Sequence, residues 1–182
     1  MEHKRLTLFA GHYGSGKTNI AVNYALHLAG EGKKVCIADL DIVNPYFRTK
    51  DSRTVLEAAG IDLISPMYAN TNVDLPALPA EAYRLVQDKS VFGVMDIGGD
   101  DRGAYALGRY VPYIKAENNY RMIFVANCYR PLTRTPEEAM EVMREIEAAD
   151  AVPVIYPIRA TAGMNGTHDP DGEMIKYAEM EF

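Results

Sequence analysis

The chain has 182 residues and a formal net charge of −6, so it is long enough to bury the core of one domain. The acidic balance argues against a surface for nucleic acid or anionic lipid, because both ligands need a basic patch. No apolar run approaches the roughly 18 residues of a membrane span. The N-terminal residues enter a strand-like run directly, without a signal peptide. We therefore expect a cytoplasmic protein with no membrane contact.

Cysteine and histidine are sparse. The two cysteines, Cys36 and Cys128, lie inside apolar segments, which predicts buried free thiols in a reducing compartment. The four histidines show no spacing typical of a metal site; they are His3, His12, His27 and His168.

Apolar strand-like runs alternate with helix-period segments along the chain. The strand candidates are residues 6–10, 34–39, 61–65, 91–96, 121–127 and 152–158. The helix candidates are residues 17–29, 52–59, 79–88 and 104–115, and a fifth that begins at Thr135. Several strand candidates are apolar throughout, as in strands buried on both faces of a parallel sheet. The alternation predicts a doubly wound α/β domain, with a mostly parallel sheet and helices on both faces.

Helix boundaries follow from local signals. The first helix is expected to stop at Gly30 and the second at Gly60, since glycine ends helices. The fifth has Pro136 at its first helical position, and Glu138 completes a T-x-x-E capping box with Thr135.

The first strand candidate is followed at once by GHYGSGKT, residues 11–18. The order of strand, loop and helix is the context in which G-x-x-x-x-G-K-[ST] indicates a phosphate-binding loop. Its glycines let backbone N–H groups turn toward phosphate oxygens, and the helix adds its positive N-terminal end. Lys17 would contact the β- and γ-phosphates, and Thr18 would bind Mg²⁺. The predicted nucleotide-binding residues here are Gly11, His12, Tyr13, Gly14, Ser15, Gly16, Lys17, Thr18 and Asn19.

The second strand candidate ends in the acidic pair Asp39 and Asp41. Residues two apart on a strand point the same way, so both carboxylates could face the phosphate loop from the neighbouring strand. Asp39 would suit an outer-sphere Mg²⁺ contact, and Asp41 would suit positioning an attacking water or accepting its proton. The alternative is an aspartate pair that only caps a loop.

The fourth strand candidate ends in Asp96, followed by Ile97, Gly98 and Gly99. An aspartate that closes an apolar strand is the usual Mg²⁺ partner of a phosphate loop. Asp96 and Gly99 also match a D-x-x-G arrangement, in which a glycine N–H can contact a γ-phosphate. Three strand ends therefore carry the parts of one Mg²⁺–nucleotide site.

The chain resembles the MinD/ParA-like branch of P-loop ATPases, a group that includes CobQ/CobB-type and iron-protein-type members. The matching stretches are residues 11–48 and 94–100, and the resemblance covers roughly residues 5–150. It implies P-loop NTPase topology, with ATP and Mg²⁺ as ligands and Lys17 and Asp41 as catalytic residues. It further implies a switch that forms a homodimer on binding ATP and acts on an unidentified protein partner.

The resemblance also makes residues 42–48 a switch region. In it, Asn44 and Arg48 would respond to the γ-phosphate or to a partner; alternatively, they form a helix-entry turn built on Asn44 and Pro45.

The chain departs from the family pattern at its loop and at its end. Many members carry a lysine directly after the first loop glycine, which reaches the partner's nucleotide. Here that position is His12, whose charge is only partial near neutral pH. We expect a single nucleotide-binding domain over residues 1–182, but the part from about residue 159 does not match and is either atypical or truncated. The acidic segment 173–182 argues against a membrane helix.

A slow Mg-ATP-dependent switch is the leading functional hypothesis. A second is a phosphotransferase or ATP-dependent ligase, in which Asp41 activates a small-molecule hydroxyl or carboxylate and the loops 42–48 and 66–79 form the acceptor pocket. A third is a nucleotide-binding regulator with little catalysis. The residues alone do not separate adenine from guanine.

Overall fold

The computed structural model describes residues 3–40, 52–65, 80–98, 107–150 and 156–160. The strands in these ranges are Leu6–Ala10 (β1), Val35–Leu40 (β2), Asp62–Ile64 (β3), Phe92–Ile97 (β4), Tyr120–Asn127 (β5) and Tyr156–Ala160 (β6). The α-helices are Lys17–Gly30 (α1), Arg53–Ala58 (α2), Arg84–Gln87 (α3), Val111–Glu117 (α4) and Pro136–Asp150 (α5). Two 3-10 turns cover Ala80–Tyr83 and Pro131–Thr133.

The six strands form one sheet in the order β3-β2-β4-β1-β5-β6. Every neighbouring pair is parallel, which confirms the predicted α/β class. The order corrects one detail of the sequence interpretation. β4 lies between β1 and β2, so β2 is not the direct neighbour of the strand that leads into the glycine loop.

The helices are sorted onto the two faces of the sheet. α1 and α2, which connect β1 to β2 and β2 to β3, pack on one face through residues such as Ile20 and Leu56. α3, α4 and α5, which connect strands toward β6, pack on the other face through residues such as Leu85, Ile114 and Val142. Because parallel crossovers are right-handed, connections that run in opposite directions along the sheet must lie on opposite faces.

The local signals for helix ends are confirmed. α1 ends at Gly30, and the left-handed Gly60 (φ 72°) follows α2. At the start of α5, the Glu138 N–H donates to Thr135 Oγ1 at 3.2 Å, and the Thr135 N–H donates to Glu138 Oε2 at 3.1 Å. The helix predicted over 104–115 is described as Val111–Glu117, with the left-handed Asn118 (φ 51°) after it; residues 99–106 lie outside the described ranges.

A buried ion pair joins the segment before β1 to the end of α4. The Arg5 guanidinium is 6% exposed and donates to the carbonyl oxygens of Leu85 and Val91, each at 2.9 Å. It also pairs with the carboxylate of Glu117, which accepts a further bond from Lys89 Nζ. The charge that Arg5 brings into the core is thus neutralised where it is buried.

The two cysteines are free thiols, and they differ in burial. Cys36 is fully buried in β2, and burial, together with the nearby Asp62 carboxylate, raises the pKa of its thiol to about 12. Cys128 follows β5 and is only partly buried. The predicted burial therefore holds for Cys36 and not fully for Cys128.

Candidate functional site

The glycine loop, residues 11–16, connects the end of β1 to the first residue of α1. Gly14 (φ 75°) and Gly16 (φ 91°) adopt the left-handed conformation that side chains disfavour. Gly16 is the N-cap of α1, and its carbonyl oxygen accepts the Ile20 N–H at 3.2 Å. The Ser15 N–H donates to the carbonyl oxygen of His12 at 3.0 Å. This tight turn places the N-terminus of α1, with its backbone N–H groups, beside the loop, as an anion site requires.

Gly11 lies where the loop passes β5 most closely. A Cβ atom built on Gly11 would be 2.4 Å from the carbonyl oxygen of Val125 and 2.8 Å from Ser15 Oγ. Real Cβ atoms essentially never come this close to another heavy atom, so a side chain at Gly11 would force the backbone of β5 or the loop to shift. The loop is therefore held directly against the sheet.

Polar residues end three of the strands on the face that α1 covers. Asp39 on β2 is level with Asp96 on β4, and Asp96 is level with Phe9 on β1. Asp39, Asp96 and the β5 residue Asn127 each lie two positions after a strand residue of the α1-side core, so all three side chains lie on that face. Each is at most 2% exposed. The sheet thus presents two carboxylates and an amide beneath the start of α1.

Lys17, the first residue of α1, is only 4% exposed. Its Nζ atom lies 3.9 Å from Asp96 Oδ1. Because a buried ammonium is costly without a counter-charge, the Asp96 carboxylate stabilises Lys17 in this position. The pair joins the glycine loop electrostatically to the end of β4.

The loop between β5 and α5 supports the glycine loop from the opposite side. Asn127 Nδ2 donates to the Gly14 carbonyl oxygen at 3.2 Å, and Arg130 Nε donates to the same oxygen at 3.1 Å. Thr133 Oγ1 donates to the Asn127 carbonyl oxygen at 2.6 Å. Sequence reasoning missed Asn127 and Arg130 as site residues. Asn127 is the last residue of an apolar strand candidate, as Asp96 is, and this position could have identified it as a site residue.

The residues present fit a nucleotide phosphate chain and Mg²⁺. A Cβ on Gly11 would clash with the backbone, and among the described residues the buried Ser15 Oγ has no hydrogen-bond partner. Thr18, Asp96 and Asp39 offer oxygen ligands, which Mg²⁺ prefers.

The fold brings most of the predicted site residues together. In the described ranges these are His12, Tyr13, Gly14, Ser15, Gly16, Lys17, Thr18 and Asn19, together with Gly11, Asp39 and Asp96. His12 is half-buried, Tyr13 is 51% exposed, and Asn19 is buried in the first turn of α1. Asp41, Asn44, Arg48 and Gly99 lie outside the described residues.

No protein-family model matches the chain, and no curated protein matches it in sequence. Solved structures of the signal recognition particle receptor FtsY are similar in fold. FtsY from Elizabethkingia anophelis, in complex with GDP, superposes with a TM-score of 0.57 at 16% identity, over 91% of this chain and 51% of that one. Chloroplast FtsY from Physcomitrella patens gives 0.59 at 18% identity, over 92% and 52%. FtsY from Mycoplasma mycoides gives 0.57 at 18% identity, over 90% and 52%.

At this identity the likeness shows the fold: the chain has the α/β fold of the P-loop nucleotide-binding proteins. The chain spans about half the length of the FtsY chains it matches. The resemblance to the MinD/ParA-like branch stays a prediction, because structures at this identity show the fold alone. Within the described ranges, no helix has the length and apolar character that crossing a membrane requires.

Proposed function

We propose that the chain is a cytoplasmic, Mg²⁺-dependent nucleotide-binding protein and a slow ATPase that acts as a molecular switch. The observation that carries the proposal is the placement of Lys17. Its ammonium group is buried under a left-handed glycine loop, at the N-terminus of a helix, 3.9 Å from an aspartate that ends a central strand. A purely structural glycine turn needs neither the buried cation nor the carboxylate beside it.

Each residue of the site has a role in this proposal. The loop amides and the N-terminus of α1 bind the β- and γ-phosphates, and Lys17 neutralises the charge that develops on them. Thr18 and Asp96 bind Mg²⁺, and Asp39 contacts its water shell. Mg²⁺ supplies further neutralisation of the phosphate oxygens. Asp41 would orient the attacking water, as the MinD/ParA resemblance implies.

The arrangement also defines the orientation of the bound nucleotide in this proposal. The acidic strand ends, Asp39 and Asp96, lie on the β4 side of the glycine loop, where the metal and the γ-phosphate belong. Asn127 and Arg130 hold the loop from the β5 side. The nucleoside then extends toward the β5–α5 loop and β6.

Adenine as the base follows from the MinD/ParA resemblance alone, because the described residues do not separate adenine from guanine. The FtsY structure with bound GDP makes GTP the competing nucleotide in any test.

A second copy of the chain is the proposed partner in the triphosphate state, in line with the MinD/ParA resemblance. Tyr13 on the glycine loop is 51% exposed, and Tyr129 on the β5–α5 loop is 59% exposed. Both loops meet at Gly14, so these rings lie on the same edge of the sheet. Exposed aromatic side chains are typical of contact surfaces.

The proposal is tested by replacing Lys17 and measuring nucleotide affinity. Hydrogen bonds to charged groups contribute about 1.5–3 kcal/mol, so Lys17→Ala should weaken Mg-ATP binding on the order of tenfold to a hundredfold. The matched control is Lys115→Ala, which removes an exposed lysine in the last turn of α4. Thermal unfolding of each variant verifies that the fold persists, since Lys17 is buried. Calorimetric titration with ATP and with GTP gives the affinities.

Equal Mg-ATP affinity of Lys17→Ala and Lys115→Ala would show that the loop is not the nucleotide site. Tighter binding of GTP than of ATP would refute the adenine assignment and leave the site intact. Sedimentation with ADP and with a non-hydrolysable ATP analogue then reports the oligomeric state. A monomer in both conditions would overturn the proposed homodimer.

A further inference from the structure

Three metal-ligating side chains meet at the end of α1 that is remote from the glycine loop. His27 lies in the last turn of α1, and Glu31 follows the helix four residues later. His3 comes from the segment before β1 and packs against both. One ligand atom from each residue lies within 4.8 Å of the other two. The sequence interpretation found no metal-site spacing among the histidines, because 24 residues separate His3 from His27 and only the fold brings them together.

The distances within this cluster match the separation of ligands around a single ion. Glu31 Oε2 is 3.1 Å from His3 Nε2, and Glu31 Oε1 is 3.5 Å from His27 Nε2. Ligand atoms on a tetrahedral zinc ion, with bonds of about 2.0–2.1 Å, lie about 3.3–3.4 Å apart. The two distances involve different oxygens of the carboxylate, and one ligand atom of each residue lies within 4.8 Å of the other two. Binding one ion would therefore draw the three side chains closer together.

The ring of His3 is oriented by a buried partner. His3 Nδ1 lies 3.2 Å from the Tyr24 hydroxyl oxygen, which also accepts a 2.6 Å hydrogen bond from Arg121 Nη2. With Nδ1 engaged, Nε2 is the nitrogen that faces Glu31. Metal-ligating histidines usually have such a hydrogen bond on their second nitrogen, and it fixes the tautomer.

The donor set indicates the class of metal. Two imidazoles and one carboxylate suit Zn²⁺ and similar borderline divalent ions, while Mg²⁺ prefers oxygen ligands alone. The three side chains are accessible to an ion from solution, with exposed fractions of 21% for His3, 38% for Glu31 and 49% for His27.

We infer that His3, His27 and Glu31 form a zinc site, with water in the fourth position. The ion would join the segment that precedes β1 to the C-terminal end of α1. His27 follows Lys17 by ten positions and Glu31 by fourteen, so at 1.5 Å per residue the site lies roughly 15–20 Å from Lys17 along α1. It is thus a separate site from that of the nucleotide, and it does not depend on the proposed ATPase activity.

Titration of the full chain with Zn²⁺ tests the inference, in excess Mg²⁺ to occupy oxygen-only sites. One equivalent should bind, and Co²⁺ in place of Zn²⁺ should give the intense visible absorption of a tetrahedral ion. His27→Ala should weaken Zn²⁺ binding at least about tenfold, since it removes a direct ligand. Alanine is also the better helix former, so α1 should persist in this variant. Zn²⁺ should raise the unfolding temperature of the wild type more than that of His27→Ala.

His12→Ala is the matched control, because it removes a histidine on the glycine loop, at the other end of α1. Its Zn²⁺ affinity should equal that of the wild type. The inference is overturned by failure to bind one equivalent, by equal affinities of wild type and His27→Ala, or by an equal loss in His12→Ala. Glu31→Gln distinguishes ligation from ring packing, since it keeps the size of the side chain and should still lower the affinity.

Discussion

At Gly11 the chain leaves β1 in direct contact with the carbonyl oxygen of Val125, and the glycine loop is built on that contact. A side chain there would have to displace backbone rather than a flexible neighbour. Gly30, at the far end of α1, is the opposite case, because no atom lies within 4 Å of a Cβ built on it. The two glycines therefore separate the effect of close packing from the effect of backbone flexibility.

Gly11→Ala is expected to destabilise the protein by about 1–3 kcal/mol, the usual cost of overpacking, and to weaken nucleotide binding by moving the loop. Gly30→Ala should be neutral or stabilise by about 0.5–1 kcal/mol, because alanine loses less backbone entropy in a helix. Urea denaturation with parallel nucleotide titration measures both. If Gly11→Ala proved as stable as Gly30→Ala, the close contact with Val125 would be wrong.

The sequence revealed those site residues that follow an apolar strand directly. Lys17, Asp39 and Asp96 lie close to strong strand signals in the sequence. The structure brings them together at the carboxyl ends of the strands, on the face of the sheet that α1 covers. Arg130 and His3 each lie three positions outside a strand candidate, and no local pattern marks either of them as a site residue. Their positions depend on which strands are neighbours and on where loops return, and neither is encoded in a local pattern.

At the level of elements, α5 begins with a reciprocal pair of hydrogen bonds between Thr135 and Glu138. Glu138 Oε2 also accepts the Arg134 N–H at 2.9 Å. The cap thus fixes the last residues of the β5–α5 loop, whose first residues, Asn127 and Arg130, hold Gly14. The capping box supports the site through this loop as well as supporting the helix.

Thr135→Ala should destabilise the protein by about 1 kcal/mol, the typical cost of losing a helix cap. Glu137→Ala is the control, because it removes an exposed acidic residue of the same helical turn that is not part of the box. Thermal and urea unfolding should show the larger loss for Thr135→Ala. A loss no greater than that of Glu137→Ala would mean that the cap contributes little to stability.

Strands and helix ends were the features that local sequence patterns predicted best. Continuous apolar runs can be buried only within a sheet covered on both faces, and glycines and the T-x-x-E pattern act over a few residues. The third helix candidate, 79–88, became a 3-10 turn and the short α3. The sequence pattern did not distinguish the 3-10 turn from the α-helix.

For the whole molecule, the order of strands could not be predicted from the sequence. The insertion of β4 between β1 and β2 follows from the direction in which each connection runs, and only the finished sheet defines it. The Arg5–Glu117 pair likewise depends on the complete fold, because 112 positions separate its partners.

This ion pair predicts acid sensitivity. Burial alone would raise the pKa of Glu117, but hydrogen bonds from Arg5 and Lys89 outweigh burial and hold it below its ordinary value of 4.5. The pair therefore stabilises the fold above that value, and the contribution is lost as the pH falls through the lowered pKa.

Glu117→Gln should cost about 3 kcal/mol at neutral pH, as expected when one partner of a buried pair is removed. The difference from the wild type should shrink as the pH falls below 4.5 through the lowered pKa of Glu117, where the wild-type carboxylate also becomes protonated. Glu57→Gln, at an exposed pair with Arg53, should have little effect at any pH. Urea unfolding across this range measures the difference, and a constant gap between wild type and Glu117→Gln would contradict the assignment.

The contact between Lys17 and Asp96 bears on how the protein exchanges its ligand. A phosphate loop whose lysine had no internal counter-ion would hold an uncompensated charge each time a nucleotide departed. Here Lys17 has a carboxylate 3.9 Å away. If the loop binds nucleotide as proposed, the charge of Lys17 would stay compensated after the phosphate leaves, which would favour complete release over displacement by an incoming molecule.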